Sequence, residues 1–193
     1  MKGKIFNAQE VQSILNGSKI QFREVIKVQP ANENQVFSTV ASSIRNKDIG
    51  THNFINPKAT WEQTKKFKCP YQVGQKIFCK ERFFVSNYIE LRYEANLSID
   101  EKYYWLPAIK MKQEHSRLTL LIKEIRVERL GDISADDCWK EGFKTDYKIL
   151  PHGIFQKDAS KFFTENWNAT HKKPEKKFEV NPFVWVVEFK INK

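Results

Sequence analysis

Apolar positions along this chain change their spacing several times, and each change marks a new element. From Asn7 to Asn16, Val11, Ile14 and Leu15 fall on one helical face, with Asn7 as N-cap and Glu10 three residues on in the arrangement of a capping box. Gly17 suits the residue that leaves this helix. A period of two follows from Lys19 to Ile26. Ile20 and Phe22 point one way and Lys19, Gln21 and Arg23 the other, which predicts a strand whose polar face meets water or carries chemistry.

Between Gln29 and Lys68 the pattern dissolves into polar residues, with a weak mixed signal from Thr60 to Phe67, and a stretch of this length predicts an insertion or a mobile loop. Regularity returns at Cys69. A turn at Gly74 leads into a strand from Gln75 to Phe84, in which Ile77, Cys79 and Glu81 alternate with Phe78, Lys80 and Arg82. A further strand is expected from Glu90 to Ala95, and the aromatic cluster Tyr103, Tyr104 and Trp105 precedes Pro107. The longest β pattern runs from Ser116 to Leu130. Its apolar phase shifts by one residue between Ile122 and Ile125, as a β-bulge produces, and bulges bend strands so that a sheet can close into a barrel.

Ser134 caps a short helix, Ala135 to Glu141, that Gly142 ends, and a second helix from about Phe155 to Trp167 is marked by Phe155, Ala159, Phe162, Phe163 and Trp167. The charged stretch HKKPEKK, His171 to Lys177, reads as a solvated loop. The chain closes with a strand around Phe183 to Ile191 that is apolar on both faces at its start and therefore belongs inside a sheet. This order predicts an α+β fold in one domain, 1–193, with short flanking helices and a poorly patterned insertion at about 29–68 after the first helix and strand.

Composition adds substance to that outline. The 193 residues are 40% hydrophobic and include 15 Phe, 6 Tyr and 5 Trp, enough for a sizeable core. The net charge of +10 makes a polyanionic partner an expectation, since lysines and arginines that neutralise phosphates release counterions. Cys69, Cys79 and Cys138 are odd in number and far apart, and His52, His115, His152 and His171 are scattered, so neither a disulfide framework nor a metal site is expected, and no cofactor is implied. No run is long and apolar enough to span a membrane and no leader peptide is evident, which places the expected location in the cytoplasm.

Five segments, in order, resemble the ASCH family of the PUA-like superfamily, and more closely its members encoded in bacteriophages and prophages. The opening ILNGSKIQFREVIKVQP resembles the family's I-L-x-G-x-K-T-x-T-R-R-V-I-K-P-Q-P. CPYQVGQKIFCKERFF resembles C-P-Y-G-x-P-G-D-x-L-W-V-R-E-T-W, and WLPAIKMKQEHSRLTL resembles W-R-P-S-I-H-M-P-x-x-x-S-R-I-T-L. RVERLGDISADDCWKEGF and NPFVWVVEFK complete the set. The resemblance implies a PUA-like β-barrel with a cleft near the G-x-K segment and a bacterial, phage or prophage setting. It also implies business with RNA or a modified nucleoside, since some members resemble amidohydrolases acting on N4-acetylcytidine and others are linked to RNA cleavage.

Carried over by position, the family's working lysine falls on Lys19 and its helix-end glutamate on Glu141, while its two threonines are replaced by Ile20 and Phe22. Lys19 would serve as a base if desolvation lowered its pKa, with Glu141 orienting water beside it. Gln21 and Arg23 share the face of Lys19 and are suited to a phosphate or a base edge. Glu81 occupies the carboxylate of the V-R-E-T-W segment, Trp105 is suited to stacking on a base, and Lys110 and Arg117 to a basic approach. The leading expectation is an RNA-binding or nucleoside-binding domain with Lys19, Arg23 and Glu141 in its pocket. An amidohydrolase or ribonuclease built on the same pocket is the alternative, and a phage accessory protein acting on a host protein the third.

Overall fold

Backbone pairing gathers five of the predicted and unpredicted strands into one sheet. The structure is a computed structural model that describes residues 1–31, 35–39, 52–55, 66–85, 91–96, 104–142 and 152–192, with the backbone alone at 39 and 152–158. Its elements run β1 (Lys2–Ile5), α1 (Ala8–Leu15), β2 (Gln21–Val25), β3 (Val36–Thr39), β4 (His52–Ile55), β5 (Lys76–Lys80), β6 (Phe83–Val85), β7 (Leu91–Tyr93), β8 (Thr119–Arg129), α2 (Ala135–Lys140), α3 (His152–Thr170) and β9 (Phe183–Ile191). The main sheet has the order β1-β5-β8-β9-β2, with β1 and β5 parallel and the other pairs antiparallel. The α+β expectation holds, and β1, too short to announce itself by periodicity, is an addition to it.

The closed barrel is not found. Closure needs a hydrogen-bonded ladder between the first and last strands, and β1 and β2 are instead the two edges of the sheet. A register shift between Ile122 and Glu124 lies where the apolar phase of β8 changes, as a bulge requires. Side chains join the two edges: Lys4 Nζ stands 2.7 Å from Glu24 Oε2, and the rings of Phe6 and Phe22 lie 5.9 Å apart. The result is a curled, open sheet.

Each face of that sheet has its own core. On the inner face Phe22, Leu120, Ile122, Trp185, Val187 and Phe189 pack with Phe6, Val11 and Ile14. On the outer face Val184 and Val186 pack with Leu130, Cys138, Ala159, Phe163 and Trp167. Alternation along β9 serves both cores at once, which explains why its sequence is apolar at successive positions. Burying each large apolar side chain contributes about 1.5–3 kcal/mol.

Two expected elements differ from their predicted form. The strand foreseen from Gln75 to Phe84 breaks at Glu81 and Arg82, and β6 leaves the main sheet to pair with β7. The stretch at 29–68 is not patternless: β3 and β4 form an antiparallel ribbon, with the ring of Phe37 6.1 Å from Trp185 and that of Phe54 4.9 Å from Phe183. Sequence periodicity missed strands of four residues because they span only two alternations each. The signal at Thr60 to Phe67 lies mostly outside the described residues, as do Glu90, Tyr103 and the side chain of Phe155. The final helix is longer than expected, His152–Thr170 against Phe155 to Trp167. Among the described residues no helix is long and apolar enough to cross a membrane.

Candidate functional site

Capping chemistry delivers two distant segments to one place. Asn7 caps α1 by accepting a hydrogen bond from the Glu10 amide, and Glu10 Oε2 accepts one in return from the Asn7 amide at 2.9 Å. Ser134 accepts from the Asp137 amide and starts α2, which ends in Glu141 and then Gly142 at φ +89°. Lys19 and Glu141 form an isolated antiparallel bridge, and the Ile20 amide donates to the Lys140 carbonyl at 2.9 Å. A Cβ on Gly142 would lie 3.1 Å from the Cβ atoms of both Lys19 and Ser13, so only glycine permits this approach without strain.

The side chains then build an ionic network. Lys19 is 4% exposed, and its ammonium donates to Glu141 Oε2 at 3.0 Å and to the Glu141 carbonyl at 3.1 Å, with Glu10 Oε1 at 3.5 Å. Arg23, 5% exposed, donates to Glu141 Oε1 at 2.8 Å, to Asp137 Oδ2 at 3.0 Å and to Glu128 Oε1. Arg126 completes the outer part through Asp137 at 2.8 Å and Glu188 at 3.1 Å. Lys19, Arg23 and Arg126 thus face Glu10, Glu128, Asp137, Glu141 and Glu188. Carboxylates outnumber cations here.

This corrects two expectations about Lys19. Its strand face does not meet water, and its pKa is not lowered. Burial does oppose the charge, but the attraction of Glu141 and Glu10, reinforced by their hydrogen bonds, more than offsets it and raises the pKa above the ordinary lysine value. The raised pKa favours the ammonium form of Lys19, which donates hydrogen bonds to Glu141. Arg23 is likewise held charged against burial by Glu141, Glu128 and Asp137. Burial and the neighbouring carboxylates push the Cys138 thiol up to about 11, so it stays protonated at neutral pH despite the nearby Arg23.

These groups open onto a cavity of about 380 Å³. Lys19, Arg23, Glu141 and Glu10 form its polar wall, and Phe22 and Phe6 part of its apolar floor. α3 contributes Phe162, Phe163, Asn166 and Trp167 to the lining, and His171 follows just beyond it. Trp167 and His171 stack with ring centres 3.9 Å apart. Burial holds the His171 pKa below its usual value, so the ring is neutral near pH 7. Phe22 is 3% exposed and contributes its ring to the cavity lining.

The remaining expected residues part company. Gln21 is fully buried, and its Oε1 accepts from Arg126 at 3.3 Å behind the cavity wall. Glu81, 2% exposed, holds Arg117 in a paired bond, Oε1 to Nε and Oε2 to Nη2 both at 2.9 Å, with the guanidinium 4.2 Å above the Tyr93 ring. That pair is a self-satisfied unit and does not line the cavity. Trp105 is half-buried beside the bridge between Leu106 and Phe83, and Lys110 is exposed on a short turn; neither borders the cavity. The separation follows from the break after Lys80, which turns Glu81 away from β2.

Sequence reading passed over Glu10 except as a cap, and over Arg126, Glu128, Asp137 and Glu188 entirely. Strand register is the signal that finds Arg126, Glu128 and Glu188, because Arg23, Val186 and Arg126 are successive partners across β2, β9 and β8 and so share one face. Among the described residues no group of three or more His, Cys, Asp or Glu side chains is arranged to hold a metal ion.

No protein-family model matches this sequence, and no curated protein matches it. Among solved structures, the chain is similar to a protein of Enterococcus faecalis V583 described under the family name DUF984, at 9% identity and a TM-score of 0.42, over 100% of this chain and 76% of that one. It is also similar to an ASCH domain from Lactobacillus crispatus JV V101, at 12% identity and a TM-score of 0.40, over 98% and 78% of the two chains.

Proposed function

We propose that this protein is an ASCH-like domain that binds a nucleobase, carried by RNA or by a modified nucleoside, in the cavity walled by Lys19, Arg23 and Glu141. The observation that carries the reading is that Lys19 and Glu141, which the family resemblance assigns to one site, stand 3.0 Å apart on the wall of a cavity of nucleoside size. Aromatic rings on α3 provide a stacking wall, as in modules that take single bases. Phosphates are poor candidates for the cavity itself, because its cations Lys4, Lys19 and Arg23 are already paired with carboxylates.

Binding is favoured over turnover by the state of the groups. Amide hydrolysis needs a proton acceptor and donors aimed at the oxyanion, whereas Lys19 is already protonated and Ile20 and Phe22 replace the hydroxyls. Titrating the protein with N4-acetylcytidine and with structured RNA, and following acetate release and RNA cleavage in parallel, separates the readings. Saturable binding that Lys19→Ala and Glu141→Ala both weaken, with the ligand recovered intact, is the expected result. Turnover lost in both variants would establish the amidohydrolase or ribonuclease instead, and the absence of binding and turnover would point to a protein partner.

A further inference from the structure

A cationic segment follows directly on His171 of the cavity lining. α3 ends beside the cavity with Trp167, Thr170 and His171 among its lining, and the next residues are Lys172, Lys173, Pro174, Glu175, Lys176 and Lys177. Lys177 donates to the Asn168 carbonyl at 2.9 Å and is tied to the helix end. Lys172 and Lys173 are exposed, and among the described residues no carboxylate pairs with them or with Lys176. The segment is not a loose tip. The Trp167 indole donates to the Lys176 carbonyl at 2.7 Å, and a turn at Pro174–Lys176 fixes its path. Lys4 lines the cavity as well, and both Lys176 and Lys4 act on His171, helping burial keep that ring neutral.

We infer that Lys172, Lys173 and Lys176 form a phosphate-contacting rim that holds a single-stranded nucleic acid across the cavity while one of its bases enters. The proposal rests on the reading of the cavity as a base pocket and extends it from a free nucleoside to a strand. Charge is divided in space. Inside, each cation of the lining, Lys4, Lys19 and Arg23, is already paired with a carboxylate, so the cavity suits an uncharged base; outside, unpaired ammonium groups suit the phosphodiester on either side of that base. Glu175 lies within the segment but leaves it with a net positive charge. The aromatic pair Trp167 and His171 sits at the boundary between the two environments, where a base leaving the strand would pass.

The test compares a triple variant, Lys172→Gln/Lys173→Gln/Lys176→Gln, with a control that loses equal charge elsewhere, Lys68→Gln/Lys76→Gln/Lys123→Gln. The control positions are exposed and none lines the cavity. The probes are a labelled single-stranded oligocytidylate of roughly ten nucleotides and free N4-acetylcytidine. Rim neutralisation is expected to weaken oligonucleotide binding between roughly ten- and a hundredfold near 0.1 M salt and to lower the log-log salt slope by about two, as the loss of three phosphate contacts to a single strand requires. Nucleoside affinity should stay within about twofold in the same variant, an expectation that follows from the separation of rim and wall. Equal losses in the rim and control variants, or an unchanged slope in the rim variant, would overturn the rim while leaving nucleoside binding, and with it the pocket, intact. Failure of the unmodified protein to bind either probe would overturn both.

Discussion

Arg23 touches three carboxylates, Glu128 of β8, Asp137 of α2 and Glu141 just beyond that helix, and its side chain is fully enclosed. Removing one member of such a network costs more than the net worth of its bonds, because the remaining charges stay buried without partners. Arg23→Ala is therefore expected to destabilise the fold by about 3–5 kcal/mol, read as a shift of the chemical denaturation midpoint. Glu141→Gln keeps the shape but leaves Lys19 with Glu10 as its remaining carboxylate partner, 3.5 Å away. In that variant the Lys19 pKa should fall from its raised value, which a pH titration of the ammonium by NMR would register; no change would show that Glu141 is not what holds the charge. The family pattern pointed to Lys19 and Glu141. Glu10, which helps Glu141 hold the Lys19 charge, comes from the capping box of α1.

Helix α2 is a short element with a large effect, since it carries Asp137 and presents Glu141 to Lys19. Ser134→Ala removes its cap and should cost about 1 kcal/mol in denaturation experiments, and it should weaken ligand binding as well because the wall of the cavity moves with the helix end. Asn7→Ala should destabilise α1 by a similar amount, about 1 kcal/mol, and free Glu10 from the cap that aims it at Lys19. Gly142→Ala is the more severe change. It adds a left-handed penalty of about 1 kcal/mol to a Cβ that meets Lys19 and Ser13 at 3.1 Å. Caps and the glycine stop were legible in sequence because they act on neighbours within four residues. The short strands β1, β3 and β4 were not, since their stability comes from partners far along the chain.

Stability of the entire molecule should depend on pH in two stages. His171 and His52 have pKa values lowered by burial, so the unfolded chain binds protons there that the folded one does not, and stability should begin to fall as pH drops below about 6.5. Burial pulls the other way at Asp137 and Glu24, yet Arg23 and Arg126 in one case and Lys4 and Tyr71 in the other hold both pKa values below the ordinary carboxylate range. Their contribution is fully present above the unfolded values and is lost as pH falls through the folded ones, so the decline should steepen below about pH 4. Denaturation midpoints measured from neutral to acid pH test the shape. A flat profile down to about pH 4 would contradict the assignment of neutral, buried histidines.

Local patterning determined most of the helices, the long strands β8 and β9 and the bulge between them, because each depends on spacing within a few residues, whereas the pairing of Lys19 with Glu141 was an expectation from the family resemblance alone. Three-dimensional packing alone decided that the sheet stays open, that Glu81 and Arg117 satisfy each other away from the cavity, and that Lys19 is charged. Those outcomes depend on which strands lie side by side and on how many carboxylates converge on one ammonium. Such distances are set by the fold as a unit, and no window of sequence contains them.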